Sequence, residues 1–337
     1  MLVADRDKVL ALEAAGWADV AARKPMRADS IFWIASQSKP VTAAALMLLV
    51  DEGKMQLDDP VEKYLPEFKG QMFVAEKDGE HKLLKQPAHP ITVRNVLSHT
   101  SGLPFKSAIE EPRLDLWPLA LRVKSYAMTP LDFDPDTKYQ YSNAGINTAA
   151  RIIEVVTGMP FEKFLSVRLF EPLEMSDTTF WPNVEQAARV ALSYKPGPEK
   201  KGLVAIHIDQ LTYPLSDHSE RFPMPAGGLF STAADLSRFY RMLLNGGQLD
   251  GRRYLSDGAV EELTKRQTPA ALKDSYGLGF SAGKTTFGHG GAYSTNTFAD
   301  KEHGLIFVWL VQHAGFPGEG DKSQDAFRKA AYAAFAH

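Results

Sequence analysis

The chain has 337 residues, 44% of them hydrophobic and 23% charged, with a net charge of −3 and no cysteine. Such a composition is that of a soluble globular protein of about two domains. The charge balance argues against nucleic acid or an anionic membrane surface as partner. The lack of cysteine excludes disulfides, a thiol nucleophile and thiolate-held metals, and no run reaches the roughly 18 apolar residues of a membrane span. There is no signal-peptide pattern, since Asp5-Arg6-Asp7-Lys8 follows the first residues almost at once.

In chain order, Leu2-Val3-Ala4, a charged turn at Asp5-Arg6-Asp7, Val9–Leu12 and Gly16-Trp17-Ala18 read as a hairpin over residues 2–20. Met26–Ser30 is a loop, and Ile31-Phe32-Trp33-Ile34 is a short apolar strand leading to Ser36-Gln37-Ser38-Lys39. Pro40 and the run Val41 to Val50 open a helix that is apolar on every side, hence buried; it runs to Glu52 and stops at Gly53. Residues three apart lie on one helical face, about 5–6 Å apart at Cβ, so the Lys39 amine can reach the Ser36 hydroxyl. The pair is a candidate nucleophile and base, or else a solvated helix start of a kind common by chance.

Asp58-Asp59-Pro60 is expected to start a short helix, with Asp as cap and Pro in the first turn. Residues 71–87 read as an inserted hairpin about Lys77-Asp78-Gly79-Glu80. Thr92 caps a short helix Val93–Ser98, and the loop His99–Pro104 follows. Helical patterns cover Leu114–Met128, Asn143–Thr157 with Gly158 beyond its end, and Phe161–Phe170. Residues 182–230 are loop-rich, and Ser231–Asp235 opens a helix running to Asn245. After residue 270 the period becomes alternating: Tyr276–Phe280, Thr286–Ala292, Thr295–Ala299 and Leu305–Gln312 read as strands, and Asp321–Phe335 as a closing amphipathic helix. Strands at both ends and helices between them predict an α+β fold. Its antiparallel sheet is built from both termini (residues 1–50 and 232–337) and flanked by helices, with a mostly helical domain (51–231) inserted. Ser36 then falls at the junction, where clefts form.

Two further stretches carry chemistry. In Lys138-Tyr139-Gln140-Tyr141-Ser142-Asn143, Tyr141 and Asn143 precede a helix and could point from a loop into a cleft. A phenol can relay a proton and an amide can hold a lysine or a substrate carbonyl; the plainer reading is a core aromatic and an Asn helix cap. In Phe287-Gly288-His289-Gly290-Gly291-Ala292-Tyr293, glycines inside a strand mark a close approach to backbone. A bare strand edge can offer an N–H to an oxyanion; the alternative is a bulge beside a buried His.

Ser36-Gln37-Ser38-Lys39, Tyr141-Ser142-Asn143 and His289-Gly290-Gly291, in that order, resemble the three motifs of the serine β-lactamase and penicillin-binding-protein superfamily. The likeness extends through Ile31–Phe68, Ile91–Pro104, Pro135–Phe180 and Pro225–Gly304. It is closest to the class C-like branch of AmpC-type β-lactamases, DD-peptidases, D-aminopeptidases and family-VIII carboxylesterases. The resemblance implies a β-lactamase/transpeptidase-like fold and an acyl-enzyme on Ser36. Lys39 and Tyr141 share the base role, and Asn143 orients Lys39 and substrate. The N–H groups of Ser36 and Ala292 form the oxyanion hole. No cofactor or metal is implied, and the partner is a small-molecule ester or amide. Many relatives are exported.

The sequence departs from the β-lactamase pattern in its third motif, where Lys-Thr-Gly is usual and the cation holds the drug's carboxylate. His289 and Gly290 stand in place of Lys and Thr, which predicts poor β-lactam hydrolysis, since a neutral His is a weaker clamp. Lys284-Thr285-Thr286 sits in the turn before that strand and lacks the glycine. Relatives also carry a helix before the first strand; here either the chain is trimmed or Asp321–Phe335 alone covers the sheet face.

A rival lies in Gly279-Phe280-Ser281-Ala282-Gly283, a G-x-S-x-G elbow followed by Asp300 and His303. An elbow requires a helix after its turn, and Lys284 onward has no helical period, so Ser281 reads as a decoy. A non-catalytic penicillin-binding-fold module is the reading from another class, and it is disfavoured because Ser36, Lys39 and Tyr141 are all present. None of the nine histidines forms an H-x-x-x-H pair; His99, His289 and His313 read as packing groups or supports of the site. Trp117, Tyr213, Phe222 and Tyr293 are candidates for the acyl pocket, each equally suited to the core. The expected activity is hydrolysis of short-chain carboxylic esters, followed by D-residue peptides or amides, and then slow β-lactam turnover.

Overall fold

In the computed structural model, which describes residues 1–315 and 321–336, the two ends of the chain meet in one sheet. Its six strands are antiparallel, in the order Ser281–Ala282, Thr286–Gly290, Asn296–Asp300, Leu305–Trp309, Leu2–Ala4, Val9–Leu12. The first strand is zipped onto the penultimate stretch of the chain, with Leu2 opposite Val308 and Val3 opposite Phe307. Side chains alternate between faces along a strand, and both faces here are apolar. Val3, Leu305 and Phe307 pack under the closing helix Asp321–Phe335 through Phe327, Ala331 and Tyr332. Leu2, Ala4, Ile306 and Val308 join the main core together with the helix Ala233–Leu244.

The helix Ser38–Asp51 is buried at every residue from Ser38 through Leu49, as its uninterrupted apolar run requires. It packs against Asn143–Thr157 and Asp257–Thr264. Caps form where the sequence places them: the Thr92 hydroxyl accepts from Asn95 N in a capping box, and Thr232 accepts from Asp235 N. The hairpin within 71–87 forms between Phe73–Lys77 and Lys82–Lys85.

Several expectations need correction. Phe32–Trp33 does not enter the main sheet but pairs with Phe230–Ser231 in a separate ribbon. Trp17–Asp19 pairs with Lys24–Pro25, so the hairpin near the start ends at Leu12. No strand spans Tyr276–Phe280. Its backbone docks outward instead, Leu278 N on Leu263 O and Gly279 N on Leu97 O, and the ladder begins at Ser281. Only a 3₁₀ turn, Val61–Lys63, follows Asp58-Asp59-Pro60, because both carboxylates are engaged elsewhere: Asp58 holds Arg94, and Asp59 holds Lys63 and Gln56 N. The helix expected over Leu114–Met128 begins at Leu119, since a residue before proline is disfavoured in the helical region and Leu114 N bonds Gln210 O. The Phe161–Phe170 helix ends at Leu165 and gives way to a π turn at Ser166–Phe170. The loop-rich stretch contains a short hairpin, Ser193–Pro196 with Leu203–Ile206, and Asp257–Thr264, capped by Ser256, is a helix not foreseen.

Buried charge ties these loops down. Asp115 accepts from Arg221 Nε at 2.8 Å and from Thr212 N and Oγ1, both at 2.9 Å, and Arg221 also reaches Phe180 O. Both side chains of that pair are almost wholly buried, and their hydrogen bonds offset the loss of hydration.

Candidate active site

Ser36 lies in a 3₁₀ turn, Ala35–Gln37, that runs straight into the helix Ser38–Asp51. The helix thus starts two residues before Pro40, and Ser36 and Lys39 share one continuous turn. Ala35 sits in the left-handed region at φ 46°, a conformation that costs a non-glycine residue about 1–3 kcal/mol and that neighbouring structure must enforce. Ser38 supplies part of that enforcement: its hydroxyl donates to Ala35 O at 2.7 Å and accepts from Leu229 N at 3.1 Å.

The Lys39 amine has three neighbours, Ser36 Oγ at 3.2 Å, Asn143 Oδ1 at 2.8 Å and Ala226 O at 2.8 Å. None is a carboxylate, and the residue is fully buried. Burial without a counter-ion pushes the amine well below its ordinary pKa. An amide oxygen and a backbone carbonyl can only accept. A neutral amine spends both its hydrogens on them, and its lone pair then faces the Ser36 O–H. Asn147 holds this geometry from behind, with Oδ1 accepting from Ala226 N at 3.2 Å, while Pro225 O accepts from Thr42.

Tyr141 flanks the pair from the other side. Its ring lies 4.5 Å from the Lys39 nitrogen, its hydroxyl faces Ser36, and burial raises its pKa overall, against a lowering by Ser36. It is therefore a protonated phenol at neutral pH. Asn143 is the first residue of its helix rather than the cap; Ser142 caps it, accepting from Gly145 N.

His289 closes the cluster. Its Nδ1 lies 2.6 Å from Gly290 O, which can only accept, so Nδ1 carries the proton. Its Nε2 then accepts from Tyr276 OH at 2.9 Å, with Tyr141 OH farther away at 3.5 Å. Burial and the nearby Lys39 lower the imidazole to about 3. His99 sits with its ring 4.6 Å from both Tyr141 and Tyr276 and is likewise held far below its ordinary value by burial.

The strand end comes up against the Ser36 turn at Gly291. A Cβ there would lie 2.5 Å from Ile34 O and 2.1 Å from Thr295 Oγ1, so only glycine permits this approach. Gly291 N bonds Thr295 O at 2.7 Å, whereas the next N–H, that of Ala292, meets no backbone or side-chain acceptor among the described residues. Ser36 N–H occupies the second position of its turn, where a 3₁₀ helix leaves its donors unpaired. Two amides are thus available beside Ser36.

The fold accordingly brings Ser36, Lys39, Tyr141, Asn143, His289, Gly291 and Ala292 together from three distant segments. Tyr213 and Tyr293 join a small apolar cluster with Ala35, Trp33 and Met224 beside the turn, while Trp117 is exposed and Phe222 half-buried outside it. Ser281 is exposed on the edge strand and has no hydrogen bond to His303, whose Nδ1 pairs with Asp300. Sequence reasoning missed Ala226, Asn147 and Tyr276. Only Tyr276 left a signal, at the head of Tyr276-Gly277-Leu278-Gly279, where glycines interrupt an apparent strand.

Comparisons agree with this architecture. The chain matches the Beta-lactamase family model over residues 1–332. It is 31% identical to Protein Rv1367c of Mycobacterium tuberculosis (strain ATCC 25618 / H37Rv), covering 93% of this chain and 84% of that protein. It is 28% identical to Esterase EstB of Burkholderia gladioli, covering 98% and 90%. Among solved structures, EstCE1, a hydrolase with promiscuous acyltransferase activity, superposes with a TM-score of 0.79 at 22% identity, covering 98% of this chain and 92% of that one. With nearly its whole length accounted for by that family model, the chain belongs to the beta-lactamase family of serine hydrolases.

Proposed function

We propose that the protein is a carboxylesterase acting on short-chain, uncharged acyl esters through an acyl-enzyme on Ser36. Ser36 Oγ attacks the ester carbonyl while its proton passes to the Lys39 lone pair. The oxyanion is received by the N–H groups of Ser36 and Ala292. Tyr141, protonated in the resting enzyme, gives its proton to the departing alkoxide and regains one from the Lys39 ammonium, and water then releases the acyl group. Their surroundings support Lys39 as base and Tyr141 as acid: burial favours the neutral amine, and the phenol is protonated at rest.

The observation that carries the substrate preference is the neutral, Tyr276-bonded His289. It offers no charge to a carboxylate at the place where lysine stands in β-lactamases, so substrates without a carboxylate are favoured. EstB, a relative over almost the full chain, is named as an esterase. The test is a turnover panel of p-nitrophenyl acetate, butyrate and octanoate, nitrocefin and a D-alanyl amide, with S36A as control. Ester turnover that falls with chain length and vanishes in S36A is expected. Fast nitrocefin hydrolysis without ester turnover overturns the assignment, and turnover of the D-alanyl amide alone moves it to amide substrates.

A further inference from the structure

His289 Nε2 has a single lone pair, and two phenols approach it. Tyr276 lies at 2.9 Å and Tyr141 at 3.5 Å. The other ring nitrogen is committed to Gly290 O, so the ring cannot flip to provide a second acceptor without losing that bond. Tyr276 is almost completely buried, and His289 is the hydrogen-bond partner of its hydroxyl among the described residues. No second acceptor for it is found among the described residues. His99 lies 4.6 Å from both rings and fills the space between them.

The consequence falls on Tyr141. Its hydroxyl can give its proton either into the cleft, toward Ser36 and the leaving group, or backward to His289 Nε2. A proton spent on the imidazole is not available to an alkoxide. We infer that Tyr276 is a positioning residue: by occupying the His289 lone pair it keeps the Tyr141 proton facing the leaving group. This rests on the reading that Tyr141 protonates the leaving alkoxide. In that step the Ser36 Oγ–acyl bond forms as the acyl–O bond breaks. The serine proton goes to Lys39, the phenol proton goes to the alkoxide, and the Lys39 ammonium, whose nitrogen lies 4.5 Å from the Tyr141 ring, returns a proton to the phenolate, so that both groups end the step as they began. Tyr276 gains and loses nothing in the cycle.

The signature is leaving-group dependence. p-Nitrophenolate departs without a proton, and an alkoxide does not. We therefore compare kcat/KM, which reports acylation, for p-nitrophenyl butyrate and ethyl butyrate, two substrates with the same acyl group. Y276F is expected to lose about 10–100-fold on ethyl butyrate, within the range of a general-acid contribution, while p-nitrophenyl butyrate keeps most of its rate. A purely packing role would lower both in parallel, and that parallel loss, or no loss on either, overturns the inference. Y141F separates the two layers: if it is not selective against ethyl butyrate, the acid role of Tyr141 fails; if it is selective and Y276F is not, only the role of Tyr276 fails. The double variant Y276F/H289A gives a second reading, because it leaves no acceptor to divert the phenol. Its ethyl-to-nitrophenyl ratio should match that of H289A alone, and a further drop refutes the mechanism even if Y276F by itself folds poorly.

Discussion

Replacing Gly291 by Ala tests whether the strand end sets the oxyanion hole. The added Cβ would lie 2.5 Å from Ile34 O and 2.1 Å from Thr295 Oγ1, against an ordinary contact of 3.4 Å or more. The Thr295 hydroxyl can rotate, but Ile34 O is backbone two residues before Ser36 and belongs to the turn that carries it. Relief therefore requires the strand end and the turn to separate by about 1 Å, a displacement that costs about 10²-fold in rate when it falls on a reacting centre. Ala292 N–H moves with Gly291, and a lost oxyanion donor is worth about 10²–10³ in kcat, or about 2.7–4 kcal/mol. The stabilisation is felt where charge develops, so kcat should fall by about 10²-fold with KM changed far less. Steady-state hydrolysis of p-nitrophenyl butyrate, with thermal melts to verify folding, measures this. G291A/T295A relieves only the hydroxyl contact and should recover only part of the loss. A G291A enzyme with kcat within about threefold of wild type would refute the link between this contact and the hole.

Four further predictions follow from buried charge and the rival motif. Lys39 is lowered in the fold and ordinary when unfolded, so between its folded pKa and about 10.4 the unfolded chain binds the extra proton and stability rises with pH by up to about 1.4 kcal/mol per unit. The stability of K39M relative to wild type should accordingly decline as pH climbs toward 10, and parallel denaturation curves would contradict a neutral Lys39. The same depression makes kcat/KM rise with pH through the Lys39 pKa and hold beyond the usual phenol range, because Tyr141 is raised; a fall in activity well below pH 10 argues against Tyr141 as a protonated acid. R221M leaves Asp115 buried without its cation and should destabilise by about 3–5 kcal/mol in chemical denaturation. S281A should label with a fluorophosphonate as wild type does and S36A should not; the reverse pattern would restore the elbow reading.

Features governed by neighbouring residues were legible in the chain. Thr92 and Thr232 cap because a hydroxyl three residues ahead reaches an orphan N–H, whatever lies beyond. Leu305–Trp309 reads as a strand from β-branched and aromatic residues alone, and the Ser36–Lys39 spacing is a property of one turn. The misreadings arose where tertiary demands outweighed local pattern: Tyr276–Phe280 alternates like a strand but gives its N–H groups to Leu263 and Leu97, and Phe32–Trp33 takes a partner almost two hundred positions away in the chain.

By itself, then, the sequence determined the buried helix behind Ser36, the caps at Thr92 and Thr232, the strands around Thr286–Gly290, Asn296–Asp300 and Leu305–Trp309, and the candidate residues at Ser36, Lys39, Tyr141, Asn143 and His289. Tertiary structure decided their partners and their ionisation. Lys39 meets Asn143 and Ala226 across 104 and 187 residues, and His289 meets Tyr276 only where the strand docks. The protonation state of a buried amine or imidazole depends on desolvation and on which partners face it, and neither exists until the chain has folded.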